Sequence, residues 1–280
     1  MNDLLNHQTL TRIAEALERL APPLPPVADL MAYPAYVWDG RTAHAVDFEP
    51  ADYDLLSGID AQKEVLLENS RRHAQGLPAH DALIWGARGT GKSASVAAVV
   101  GRLRQEGMAV ALMQCGADHL STLPDLFRLL RDVARPFILF IDDLGFDDGA
   151  GGGDARVMRS LLDGGASARP ANVRLYVTSN RRHIVSRQMS EQDDPINRRD
   201  VVDDKLALSD RFGLSLGYHA MDQDAYVAVV EGYARHYGLP FDAKDAIFWA
   251  TQRGSRSGRV AWQYITELAG REGKAIRRGA

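Results

Sequence analysis

The chain has 280 residues, 45% of them hydrophobic and 25% charged, with a formal net charge of -4 at pH 7. That length allows one large domain or two smaller ones with a real core, and the composition is that of a soluble globular protein. The balance of charge excludes a global basic field for nucleic acid or anionic lipid, while leaving room for a local basic face. Cys115 is the single cysteine, so no intramolecular disulfide can form, which fits a reducing, cytoplasmic setting. The N-terminus lacks a basic region followed by an apolar run, so it does not read as a signal peptide. FILFI, at 137–141, is far too short to span a bilayer, and no membrane contact is expected.

Residues 4–20 carry Leu10, Ile13, Ala14 and Leu17 at helical spacing. APPLPP at 21–26 is a stiff extended linker, followed by AYPAYVWDG. Residues 1–52 are taken as an N-terminal extension. Its Tyr33, Tyr36 and Trp38 suit either a partner or the chain's own domain. From 53 the pattern becomes α/β. A helix is predicted from GIDAQK to Gly76, then strands at 81–86, 109–115, 136–143, 172–180 and 214–219, with helices between the first four. Strand and helix alternate, which predicts a mostly parallel five-stranded sheet flanked by helices. This α/β domain runs over 53–221. Residues 222–280 show only helical patterns and form a C-terminal helical subdomain. Two stretches, 145–154 and 186–205, look irregular.

Gly86-Ala87-Arg88-Gly89-Thr90-Gly91-Lys92-Ser93 satisfies the phosphate-loop pattern G-x-x-x-x-G-K-S, with a strand entering it and a helix leaving. Glycines let backbone N–H groups converge on phosphate oxygens, and the helix N-terminus adds partial positive charge. Lys92 can reach the β- and γ-phosphates, and the Ser93 hydroxyl can ligate Mg²⁺. Asp142 and Asp143 end the third strand, facing the ligand crevice of a parallel sheet. Asp142 suits Mg²⁺, and Asp143 suits polarising an attacking water. Asn180, ending the next strand, can orient that water. Arg211, in LSDRFG, and Arg259, in RSGRVAW, can fork onto phosphate oxygens; Arg256 competes with Arg259. ATP and Mg²⁺ are the expected cofactors.

The order of these motifs resembles that of the AAA+ P-loop ATPases. GIDAQK, LIWGARGTGKS, TSNRRH, LSDRFGL and RGSRSGRVAWQ resemble in particular the AAA+ family known as DUF815, over roughly 50–272. The resemblance implies that 222–280 is the helical lid. It makes Lys92 and Ser93 the Walker A residues and Asp142 and Asp143 Walker B. Asn180 is then sensor 1, Arg211 the arginine finger and Arg259 sensor 2, with Gly58 and Ile59 near the adenine. It also implies a homo-oligomer, a ring or helix of the kind that in this class usually numbers six, in which Arg211 reaches the neighbour's nucleotide. Walker B ends Asp-Asp where many AAA+ motors have Asp-Glu. A shorter side chain sits farther from the water and slows hydrolysis, a feature shared with replication initiators and helicase loaders of the class.

The expected activity is thus ATP hydrolysis at a subunit interface, driving remodelling of a client, either protein or nucleic acid. One alternative is a nucleic-acid-directed loader; another is a nucleotide-gated scaffold with negligible turnover. CGADHLSTLPDL after the second strand has no aromatic residue, which counts against polypeptide threading. Arg181, Arg182, His183, Arg187, Arg198, Arg199, Arg271, Lys274, Arg277 and Arg278 could neutralise phosphates, but Asp193, Asp194, Asp200, Asp203 and Asp204 cancel much of the field around Arg198 and Arg199.

Overall fold

A computed structural model describes residues 28–145, 153–162, 169–180 and 210–277, together with Arg12. Apart from Arg12, the helix predicted over 4–20 lies outside the described residues. So do the stretch at 186–205 and most of that at 145–154.

Seven strands form one sheet in the order β2-β1-β4-β5-β6-β3-β7. They are β1 (Ala35–Trp38), β2 (Ala43–Ala45), β3 (Ala82–Gly86), β4 (Ala111–Cys115), β5 (Phe137–Ile141), β6 (Val173–Ser179) and β7 (Leu214–Tyr218). Every neighbouring pair is parallel except the β1–β2 hairpin. Helices α1 (Asp60–Ala74), α2 (Lys92–Gln105), α3 (Leu123–Leu130) and α4 (Gly153–Leu162) connect the strands of the parallel part.

The period of two along each strand sorts the sheet's side chains into two cores. Leu83, Met113, Leu139 and Leu175 face α3 and α4, packing with Leu126, Leu130 and Met158. Ile84, Leu112, Ile138 and Tyr176 face α1 and α2, packing with Leu66, Val96 and Val99. β5 is buried at all five positions, as a central strand covered on both faces must be. Cys115 lies within the first core, and burial pushes its thiol up to about 12, so it is not a reactive group at neutral pH.

The sheet has seven strands where five were predicted, and the two further ones come from the N-terminal extension, which packs against its own domain over this stretch. Residues 35–45 supply β1 and β2 to the same sheet, and Tyr36 and Trp38 are buried in it while Tyr33 stays exposed. The cause is a docking site made far along the chain. Arg135, itself buried, donates from Nη1 to the carbonyls of Leu30 (2.9 Å) and Tyr33 (2.8 Å), and from Nε to that of Ala109 (2.7 Å). The Trp38 indole donates to Thr122 Oγ1 at 2.8 Å. Thr122 closes a 3-10 turn, Ala117–Thr122, within the stretch that lacks an aromatic residue.

His73 on α1 is 3% exposed, and its Nε2 lies 3.0 Å from the Phe137 carbonyl, so the neutral ring donates there. Burial lowers its pKa from 6.5 to about 4. The unfolded chain therefore takes up the proton first. The stability carried by neutral His73 is complete above the unfolded pKa and drains away as pH falls from 6.5 towards 4, about 3 kcal/mol in all. Urea unfolding midpoints at pH 7.5 and 4.5 check this. Wild type should lose more stability between the two than His73→Gln, which has no proton to take up.

The lid is built from α5 (Gln223–His236), α6 (Ala243–Gln252) and α7 (Gly258–Arg271). Each start is capped by a side chain: Asp222 accepts from Ala225 N–H, Asp242 from Lys244 N–H and Ser257 from Val260 N–H. Their apolar stripes meet in a separate core of Tyr226, Val230, Tyr264 and Ile265.

Candidate nucleotide-binding site

The site forms where β3, β5 and β6 end. Parallel strands leave their carboxyl ends on one side of the sheet, so residues far apart in sequence meet there. Between β3 and α2 the chain makes its phosphate loop. Gly86 has φ +139, and a Cβ there would stand 1.9 Å from the Tyr218 carbonyl oxygen. Gly89 has φ +77, and a Cβ would lie 3.0 Å from both Cβ and Oγ of Ser257. Main-chain bonds fasten the loop on both sides. Ala87 N–H donates to Tyr218 O at 3.3 Å, and Gly258 N–H, at the start of α7, donates to Gly89 O at 3.0 Å.

A cavity of about 570 Å³ opens beside the loop. Arg88, Gly89, Gly91, Lys92, Ser93, Asp142, Asp143, Asn180 and Arg259 all line it. Lys92 is 6% exposed. Its ammonium donates to the carbonyls of Gly86 (2.9 Å) and Ala87 (2.8 Å) and to Asn180 Oδ1 (3.0 Å). Burial lowers its pKa, against the opposing pull of Asp143 and Asp142. Ser93 Oγ and Thr178 Oγ1 each donate to Asp142 Oδ1 at 2.6 Å. Thr178 Oγ1 in turn accepts from Asp143 N–H at 2.8 Å. Asp143 has φ +55, a left-handed conformation that no other non-glycine among the described residues adopts. Its carboxylate is held by the Asn180 amide and lies 3.6 Å from Arg88 Nη2. Such strain at a crevice residue is worth of order 1–3 kcal/mol, and the contacts around Asp143 hold it in place.

The other predicted residues fall nearby or elsewhere. Ala87 and Thr90 line a second cavity of about 430 Å³ behind the loop, together with Arg256. Arg259 alone of the two competing arginines lines the first cavity. Gly58 and Ile59 do not line it; Ile59 packs against the loop, its Cδ1 3.0 Å from where a Gly91 Cβ would stand. Leu56 takes that wall instead, facing Tyr233 of the lid, and Gln114 reaches the cavity from β4. The sequence reading missed these three, and it missed Thr178 as a partner of Asp142. Only Thr178 left a local signal, a hydroxyl two residues before Asn180 at the end of its strand.

Arg211 is the exception to this convergence. It is exposed, three residues before β7. Leu214 pairs with Ala82 at the start of β3, and Tyr218 pairs with Gly86 at its end. Arg211 therefore sits at the amino end of the sheet and the cavity at the carboxyl end, with roughly 13 Å of strand between. Among the basic residues weighed for nucleic acid, those from 181 to 199 and Arg278 lie outside the described residues. Arg271 pairs with Glu267 and Asp245, and Lys274 donates to the Gly238 carbonyl.

The family model described as "Protein of unknown function (DUF815)" matches residues 31–272. The chain belongs to the DUF815 family. The match begins early enough to take in β1 and β2 of this DUF815 protein. Its fold is that of AAA+ P-loop ATPases. RuvB of Thermotoga maritima, in one of its single-residue variants, is similar with a TM-score of 0.53 at 16% identity, over 81% of this chain and 68% of RuvB. The Aeropyrum pernix ORC1 protein, solved in complex with DNA, is similar with a TM-score of 0.55 at 16% identity, over 81% of this chain and 67% of ORC1. Identities this low speak to fold alone. No curated protein sequence matches the chain. Among the described residues no helix is long and apolar enough to cross a membrane.

Proposed function

We propose that this DUF815 protein is a magnesium-dependent ATPase whose site is completed by a second copy of the chain. The carrying observation is the split of the predicted site. Lys92, Ser93, Asp142, Asp143, Asn180 and Arg259 gather around one cavity, while Arg211 stands at the opposite end of the same sheet. An arginine so placed is out of reach of its own chain's cavity, which supports a role at a nucleotide held by another subunit.

The cavity suits a nucleoside triphosphate. Its phosphate end has an ammonium, a guanidinium and the amino end of α2; its far end has Leu56 and Tyr233. Ser93 Oγ and Asp142 Oδ1, already in contact, are the hard oxygen donors that would hold Mg²⁺. When bound, the ion neutralises charge on the phosphates. Asp143 is the base that would polarise the attacking water. In the present conformation Asn180 and Arg88 occupy it, which favours slow turnover until the site closes.

Steady-state ATPase measured across protein concentration tests the reading. A shared site gives turnover per chain that rises with concentration, whereas flat, negligible turnover supports the scaffold alternative. Asp143→Asn should cut turnover by about 10²–10⁴ while leaving ATP affinity within about twofold, because a general base acts on the reaction and not on the bound phosphates. Isothermal titration beside the rate assay separates the two effects. RuvB is a branch migration motor and ORC1 was solved on DNA. Repeating the rate assay with single- and double-stranded DNA therefore tests the loader alternative: stimulation by either supports it, and none at low salt removes it.

A further inference from the structure

The cavity has two unlike ends; at its apolar end Tyr233 is carried by α5, but the Leu56 wall opposite is not held by secondary structure. Leu56 belongs to residues 53–59, the non-helical stretch before α1. Tyr53, Leu56 and Ile59 pack into the sheet core, while Leu55 packs with the lid core. The stretch thus spans two bodies with few main-chain bonds of its own. Leu56 N–H reaches Tyr53 O at 3.3 Å, and Ser57 N–H reaches Leu55 O at 3.0 Å.

Lys63 supplies the missing order. It sits in the first turns of α1 and is 7% exposed. Its ammonium donates to the carbonyl oxygens of Tyr53 (3.2 Å) and Leu56 (3.0 Å), and pairs with Asp60 Oδ1 at 3.0 Å. All three N–H donors of a lysine are thereby used. It also lies 4.8 Å over the Tyr53 ring. Asp60 Oδ2 in turn accepts from Gly58 N–H at 3.2 Å, so one ion pair grips the stretch on both sides of Leu56. Burying an ammonium is costly, and a methionine would fill the space. What the charge adds is a fixed place for two inward carbonyls and hence for the Leu56 wall.

The geometry points to Lys63 as a positioning residue for the nucleoside half of the bound nucleotide, setting affinity for the base and ribose without touching the phosphates. The inference rests on the nucleotide reading above and deepens it. A merely structural lysine would weaken every ligand alike; a positioning one acts only on ligands that carry a nucleoside.

The test compares magnesium-ATP with magnesium tripolyphosphate, measured by titration on the full chain. Lys63→Met should weaken ATP about tenfold or more and leave tripolyphosphate within about twofold. Asp60→Ala, at the exposed side of the same grip, keeps the lysine and should move the ATP-to-tripolyphosphate ratio the same way by less. It decides the matter should Lys63→Met fail to fold. An equal loss for both ligands, or no loss for ATP, overturns the proposal while the nucleotide reading stands. A wild-type chain that binds neither ligand removes that reading, and this proposal with it.

Discussion

Lys92→Ala should lose ATP affinity by at least about 10²-fold, with the fold intact. The ammonium is buried and now spends its three donors on two loop carbonyls and the Asn180 amide oxygen. A triphosphate offers charged oxygens in their place. Hydrogen bonds to charged groups contribute about 1.5–3 kcal/mol each, and about 1.4 kcal/mol is tenfold in binding, so losing two is a large effect. Lys92→Arg should not restore it, since a planar fork does not fit a pocket shaped around a point charge. Titration with magnesium-ATP reads the affinity, and a urea midpoint shows that the variant is folded. A folded Lys92→Ala chain with wild-type affinity would end the phosphate-loop reading.

The second large effect belongs to Arg211. Arg211→Ala should bind ATP as wild type does and lose about 10³–10⁵ in turnover under conditions where the chain is assembled, the range over which arginine fingers act. The register of β7 against β3 places this arginine away from its own cavity, so the proposed shared site predicts that the loss arises between copies. Mixing supplies the decisive arm. Lys92→Ala lacks a site but keeps the finger; Arg211→Ala lacks the finger but keeps a site. If the finger works across copies, about a quarter of the junctions in a random equal mixture hold one intact site facing one intact finger, and activity returns. Within a single chain no mixture could restore it. Two inactive variants that stay inactive together, although they co-assemble, would refute the shared site.

The residues that gather around the candidate site could be read from sequence because their signals are local. An apolar strand, glycines, Lys92 and Ser93 occur as one uninterrupted string, and the strand ends at Asp142, Asp143 and Asn180 follow from the parallel topology. The lid helices were legible too, each opening on a capping Asp or Ser before a periodic apolar stripe. β1 and β2 were not. Four and three residues are too few to show a period, and the group that docks them is Arg135, on the approach to β5. Leu56 and Tyr233 escaped for a related reason. Each looks like ordinary core in its own segment, and only the approach of lid to sheet makes them a wall. Lys63 was hidden because a lysine on a helix is normally solvated, and its burial depends on two carbonyls of a stretch with no regular structure.

The two ties on the phosphate loop carry a practical lesson for mutagenesis. Ala87 N–H to Tyr218 O and Gly258 N–H to Gly89 O are peptide-to-peptide contacts. Replacing side chains with alanine leaves both intact, so a conventional scan would score the last strand as a bystander to the candidate site and credit the last helix with Arg259 alone. Adding atoms where there are none is the way to expose them: one methyl at Gly86 or Gly89 wedges the loop off its neighbours.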